Sequence, residues 1–285
     1  MSLSTTALHL AADAAIDLHL HTTYSDGRWT PEPLLDYLLQ EQFCLAAITD
    51  HDRTDMLAGI QQLALDKHMP LLVGVEMTTT WQGELVDLLC FGFDPEHNAL
   101  NDLAQDLLRR QQENTRTVYE NLQRKGYTLP PEALPPLLAT PSPQQPFALV
   151  DLLKEHGYGL GEPSAGRIIY EAGAAFATNQ PAAVVEAAHQ SGCVCLLAHP
   201  GHADGFVTFD IPLLDQFRQQ APVDGLEVYH PLHTPAQTDM YREYAQRYQL
   251  LVSAGSDSHR PDKPPIKYQA EVCRGLLERL GIQVR

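Results

Sequence analysis

Imidazole and carboxylate side chains recur in short clusters along the chain, each following an apolar run. They are His19-Leu20-His21 with Ser25-Asp26-Gly27 shortly after, Thr49-Asp50-His51-Asp52, Ala198-His199-Pro200, and Ser256-Asp257-Ser258-His259. Such groups repeated where buried strands surface are what a polynuclear metal site requires. Alternate residues of an extended segment share a face, so His19 and His21 can reach one ion, and Asp257 and His259 repeat that spacing. Glu76 ends the run Leu71-Leu72-Val73-Gly74-Val75. A carboxylate there can bridge two cations at the ~3.5–4 Å separation of two-metal hydrolases. Taken singly, each cluster serves about as readily as a turn or cap; repetition at successive strand ends is much harder to explain that way. Five of the 13 histidines fall in the clusters. His202, His230 and His233 lie near strand ends without a spacing that demands a metal, and His9, His68, His97, His156 and His189 receive no role.

Positioning these groups requires an alternation of strands and helices. Strands are expected at Ala15–Leu18, Leu45–Ile48, Leu71–Glu76 and Leu85–Phe91, and helices at Pro31–Gln42 and at Thr54–Lys67, with Thr54 as N-cap. The alternation resumes with strands at Val194–Leu197, Gly225–Tyr229 and Leu250–Ala254, and helices at Pro212–Gln220 and Pro235–Arg247. This predicts a largely parallel sheet or barrel, whose site forms at the C-terminal ends of the strands. Between its halves lie a long polar helix over Leu100–Lys125, a Pro-rich stretch at Thr128–Pro146 without strand pattern, and helices at Phe147–His156 and Pro181–Gln190. The organisation expected is a barrel from residues 1–96 and 191–285, with a mainly helical insertion, residues 97–190, over its mouth.

Composition bounds the function. A chain of 285 residues, 44% apolar and 19% charged, suits a soluble α/β domain with an insertion. The formal charge of −17 argues against stable duplex nucleic-acid or anionic-membrane binding. A phosphorylated substrate is compatible, because site cations reverse the local field. Five cysteines without a disulfide framework point to reduced thiols and a cytoplasmic location. No apolar stretch is long enough to span a bilayer, the N-terminus lacks the basic region of a signal peptide, and its first dozen residues read as a loose tail.

The motif set His19-x-His21-Thr22…Ser25-Asp26-Gly27, Thr49-Asp50-His51-Asp52, Gly74-Val75-Glu76, His199-Pro200-Gly201 and Asp257-Ser258-His259 resembles that of the PHP (polymerase and histidinol phosphatase) phosphoesterases. The likeness runs from about Ile16 to about Arg260. It is nearest the branch holding nucleoside 3′,5′-bisphosphate phosphatases and 5′-3′ exoribonucleases. The resemblance implies a distorted seven-stranded, TIM-like β/α barrel and a trinuclear site. One metal would take His19, His21, Glu76 and Asp257; a second would share Glu76 and take His199; a third would take Asp26, His51 and His259. Asp50 and Asp52 would orient His51 and its neighbours. The family commonly places a metal-binding His where this chain has Asp87, in Val86-Asp87-Leu88-Leu89. Asp87 is read as a ligand, because an isolated inward Asp in such a strand is costly to bury. An oxygen ligand favours Mn²⁺ or Fe²⁺ over Zn²⁺.

The activity implied is hydrolysis of a small phosphate ester, a nucleotide such as a nucleoside 3′,5′-bisphosphate or a short oligonucleotide, by a hydroxide activated by two or three divalent ions. His51 and Asp257 are the catalytic candidates among the ligands. Where the bisphosphatase branch has an Arg-x-His run in the insertion and an Arg after His-Pro-Gly, this chain has Gln145-Pro146-Phe147 and His202. His202 can contact substrate or protonate the leaving oxygen. Arg167 can hold a second phosphate, and is as readily a plain surface arginine. Two rivals stand beside this reading. An amidohydrolase would cleave a C–N bond, but Lys67, Lys125 and Lys154 end no strand and so supply no carbamylated bridge. A metal-holding accessory domain without catalysis has only Asp87 in its favour.

Overall fold

The computed structural model describes residues 5, 7–203 and 205–285; tail positions 1–4 and 6 lie outside it. The chain divides into two compact units, residues 1–103 with 179–285, and residues 104–178. The elements in order are β1 (His9–Leu10), β2 (Ala15–Leu20), α1 (Pro31–Gln40), β3 (Leu45–Ile48), α2 (Leu57–Asp66), β4 (Leu71–Trp81), β5 (Glu84–Phe91), α3 (Leu100–Arg124), α4 (Leu134–Ala139), α5 (Gln145–Glu155), α6 (Ala165–Glu171), α7 (Pro181–Gln190), β6 (Val194–Leu197), α8 (Ile211–Gln220), β7 (Gly225–Tyr229), α9 (Pro235–Tyr248), β8 (Leu251–Ala254), β9 (Tyr268–Gln269), α10 (Arg274–Arg279) and β10 (Gln283–Val284).

In the first unit, eight strands form one sheet in the order β8-β7-β6-β5-β4-β3-β2-β9. Asp257 N donates to His19 O at 2.9 Å and His21 N to Ser258 O at 3.0 Å, so the segment after β8 lies against β2 and nearly closes the sheet into a barrel. The short β9 on the outer side of β2 makes the strand count eight rather than seven. The sheet is parallel through β2-β3-β4 and β6-β7-β8, but β5 runs antiparallel to both its neighbours. The largely parallel sheet expected is thus interrupted at β5. β4 continues past Glu76 through Met77-Thr78-Thr79-Thr80-Trp81, a run rich in β-branched residues, and turns back at Gln82-Gly83. Both turn residues have positive φ (54° and 90°), the two-residue turn whose twist matches the flanking strands.

Helix α1 begins with Pro31 after an extended Thr30 and buries Leu34, Leu35 and Leu38. They pack with Trp29, Phe43, Ile48 and Ile60 in an apolar cluster. Burying a side chain of this size contributes about 1.5–3 kcal/mol, so this cluster holds the strand ends bearing His21 and His51 in place. Helix α2 starts at Leu57 rather than at Thr54. The Thr54 hydroxyl donates to Asn101 Oδ1 (2.9 Å) instead of capping the helix. The segment read as a loose tail contains β1, which pairs in parallel with β10.

The second unit comprises most of α3 with α4, α5 and α6. Its own core includes Val118, Leu122, Leu149, Leu153, Ile168 and Ile169. The Pro-rich stretch forms short helical turns, including α4. Gln145 is buried and accepts from the Thr115 hydroxyl at 2.7 Å. Helix α7 belongs to the first unit and packs against β4, β5 and β6.

Candidate metal centre

Glu76, fully buried on β4, is the centre on which the histidines converge. Its Oε2 lies 3.0 Å from His19 Nε2, 3.1 Å from His21 Nε2 and 3.3 Å from His51 Nε2. Its Oε1 lies 3.1 Å from His199 Nε2. Asp257 Oδ1 is 3.1 Å from His21 Nε2 and 3.4 Å from His19 Nε2. Asp26 Oδ1 meets His259 Nε2 at 3.2 Å. Asp87 Oδ2 stands 3.8 Å from His199 Nε2.

All of these donors except His199 fall into three overlapping groups whose ligand atoms lie within 4.8 Å of one another: His19-His21-Glu76-Asp257, His21-Asp26-His51-His259, and His51-Glu76-Asp87. Both His21 ring nitrogens, Asp87 Oδ1 and Asp257 Oδ1 are buried without a hydrogen bond. Lone pairs that crowd together but do not align for hydrogen bonding fit ligand atoms that share cations. The donor set of imidazole and carboxylate suits divalent first-row ions.

The electrostatics describe a site balanced for such charge. Burial works against the charged form of Glu76, yet His19 and His51 hold its carboxyl well below the usual range. Burial would lower His21, but Asp257 and Glu76 push it up to about 10. His199 likewise overcomes burial through Glu76 and rises to about 9. For Asp87 burial and the Glu76 charge act together, and its carboxyl is pushed well above the ordinary value.

Neighbouring groups fix these side chains. Asp50 accepts from Thr22 N and Thr22 Oγ1 (both 2.6 Å) and from Ser25 Oγ (2.7 Å), so it ties down the loop carrying Asp26. Asp52 accepts from Thr78 N (3.0 Å), and the Thr78 hydroxyl in turn meets His51 Nδ1 (3.3 Å). Asp52, His199 and Asp257 all have positive φ (52°, 24° and 53°). Left-handed backbone at non-glycine residues costs about 1–3 kcal/mol and clusters at functional sites.

Two residues carry no mark in the sequence that would assign them to the site. Glu227, fully buried on β7, meets His19 Nδ1 with Oε1 (3.0 Å) and accepts from His199 N with Oε2 (2.8 Å). A carboxylate on the far ring nitrogen fixes the tautomer that leaves Nε2 free to ligate. No motif flags it, because Gly225-Leu226-Glu227-Val228 reads as an ordinary strand; its inward charge is the one signal. His230, buried at the end of the same strand, brings Nε2 to 3.7 Å from Asp257 Oδ2. His202 stacks on Phe206, with ring centroids 4.8 Å apart, and lines a cavity beside Asp257. Arg167 lies exposed on α6 in the second unit and pairs with Glu171 at 2.8 Å.

Gly255 sets how closely β8 approaches β2. A Cβ there would lie 2.2 Å from His19 Cβ and 2.8 Å from Glu227 Oε1. Gly255→Ala is therefore expected to displace His19 from Glu227, lowering metal content and melting temperature together, with a cost of about 1–3 kcal/mol from overpacking. Metal analysis alongside thermal unfolding checks this.

The fold is shared with a solved structure described as a metal-dependent phosphoesterase. That structure, from Bifidobacterium adolescentis, matches with a TM-score of 0.70 and 22% identity over 96% of each chain. In sequence, the chain is similar to proteins named for action on nucleotides or RNA. A 3′,5′-nucleoside bisphosphate phosphatase from Chromobacterium violaceum is 28% identical, across 95% of this chain and 98% of its own. A 5′-3′ exoribonuclease, Rnm, from Salmonella typhimurium is also 28% identical, across 86% of this chain and 85% of its own. No protein-family model matches the chain.

Proposed function

We propose that this chain is a metal-dependent phosphoesterase that removes phosphate from small nucleotides, with a nucleoside 3′,5′-bisphosphate as its substrate class. The observation that carries the reading is the convergence of four imidazoles on the single buried carboxylate of Glu76. Homology to the bisphosphate phosphatase supports the substrate class. His19, His21, Glu76 and Asp257 would hold one ion and Asp26, His51 and His259 another; Glu76, Asp87 and His199 would hold a third. Mn²⁺ and Fe²⁺ suit a site to which Asp87 adds a carboxylate oxygen. When bound, such ions acidify water and neutralise developing charge on phosphate oxygens. The chain's own residues do the rest. Glu227 orients His19 and the His199 backbone, Asp50 and Asp52 brace the flanking loops, and His202 supplies the proton to the leaving oxygen.

The test is to strip the protein with a chelator, reload it with Mn²⁺, and follow phosphate release from adenosine 3′,5′-bisphosphate. Activity is expected to vanish on stripping and return with the metal. Loading should also release protons at neutral pH, because His21 and His199, raised to about 10 and about 9, hold theirs in the metal-free chain. Apparent metal affinity accordingly falls as pH drops. Ammonia release from amide substrates, with no phosphate release from any ester, would replace this reading with a C–N hydrolase.

A further inference from the structure

A cavity of about 780 Å³ opens beside the metal-ligand candidates in the first unit, and Asp26, Asp257 and His259 form part of its wall. That size suits a small ligand, for which pockets run about 300–1,000 Å³. Other residues of the lining are chemically different. Arg28, Arg260 and Lys263 all face this one cavity, although the chain carries only 19 basic residues against 36 acidic ones. Among the described residues, Arg28 and Lys263 have no carboxylate partner. Arg260 has one, Asp262, at a long 3.3 Å. Cations gathered in one cavity of so acidic a protein, two of the three without a carboxylate partner, mark a place where an anion is wanted.

The cationic wall is built rather than loose. Ser258 Oγ donates to Lys263 O (2.6 Å) and receives the Trp29 indole N–H (3.3 Å). Lys263 N donates to Arg260 O (3.0 Å), and Arg28 N donates to His259 O (2.6 Å). The far end of the loop is anchored where Ile266 N donates to the buried Asp17 carboxylate (2.9 Å). The backbone of these three residues is thus tied to the segment that carries Asp257 and His259, and the Arg28 and Lys263 side chains stand exposed at the cavity. The same lining also carries apolar residues, Pro231, Leu232, Pro264 and Ile266. Leu232 and Ile266 are 53% and 38% exposed, as a surface that stacks against a flat apolar group would be.

We infer that this cavity is the substrate's second subsite: Arg28, Arg260 and Lys263 bind the non-reacting phosphate of a nucleoside bisphosphate, while Leu232 and Ile266 receive its base. The inference rests on the phosphoesterase reading and deepens it, for it makes these three cations the source of preference for a substrate with two separated anionic groups. A monophosphate engages the metal centre and leaves them unmatched.

Arg28→Gln, Lys263→Gln and the double variant separate the two ideas. The measured quantity is kcat/KM for adenosine 3′,5′-bisphosphate divided by kcat/KM for 4-nitrophenyl phosphate. Each single change is expected to lower that ratio about tenfold through KM, and the double variant about a hundredfold, the scale of a lost charge-assisted contact. Metal content and melting temperature report whether the fold and centre are intact. A parallel loss on both substrates, or an unchanged ratio, overturns the subsite. If the wild-type chain hydrolyses neither compound, the phosphoesterase reading itself fails. Calorimetric binding of adenosine 3′,5′-bisphosphate to the metal-loaded chain then decides the subsite alone: weaker binding in the double variant upholds it, and equal binding overturns it.

Discussion

Glu76→Gln is expected to abolish turnover, lowering kcat/KM at least about 10³-fold, the scale on which loss of one charge-stabilising group acts at an active site. Four imidazole nitrogens lie within 3.3 Å of its two oxygens. The amide removes the negative charge and replaces one potentially ligating oxygen with an NH2 group that cannot hold a cation. Both effects act on every ion that this residue would share, so metal content should fall by more than one equivalent per chain. The fold should remain recognisable by circular dichroism, because the β4 backbone around Glu76 is held by its bond to Thr49 O (3.0 Å) and not by the side chain. The metal-free variant is nonetheless expected to unfold more readily, since breaking a buried ion pair costs about 3–5 kcal/mol. Full metal content together with wild-type turnover would remove Glu76 from the centre of the site.

Much of this arrangement is legible in the sequence, for a definite reason. Where His19, His21, His51, Glu76, His199, Asp257 and His259 end apolar runs, strand topology alone brings them to one rim. The less legible parts depend on tertiary partners. Glu227 looks like any strand residue until the closing sheet brings its carboxylate to His19 on β2. Thr54 has the chemistry of an N-cap, but Asn101 from another element claims its hydroxyl. The antiparallel β5 departs from the expected parallel order because the βαβ rhythm fails where no helix separates β4 from β5. Gln82-Gly83 is the local signal for that reversal, and the hairpin it makes places Asp87 opposite Thr78 in register. The cationic wall is hidden in the sequence for another reason. Arg28 and Lys263 are far apart along the chain, and only the closure of the sheet between β2 and the segment after β8 joins them.

Asp87 is the position where two physical readings give opposite results. It is 2% exposed on β5, its Oδ1 has no hydrogen bond, and burial with the Glu76 charge pushes its carboxyl well above the ordinary range. Burial and the Glu76 charge therefore bias a purely structural Asp87 toward its protonated, neutral form. Asparagine has the same shape and the same neutrality, so Asp87→Asn would then leave metal content, activity and stability nearly untouched. A metal-holding Asp87 must ionise when the ion arrives, which the amide cannot do. The expected result is the second one: loss of about one metal equivalent per chain and a fall in kcat of roughly 10²-fold, the upper range for weakened metal support. In the chelated state the variant should melt no lower than the wild type, because no buried charge has been stranded. Asp87→His offers the converse, since a neutral nitrogen donor at the same strand position should restore the lost equivalent and move preference from Mn²⁺ toward Zn²⁺. Metal analysis of the two variants in parallel separates a ligand from a buried acid, and wild-type stoichiometry in Asp87→Asn would leave the Glu76–His199 pair as the whole of that third ion's support.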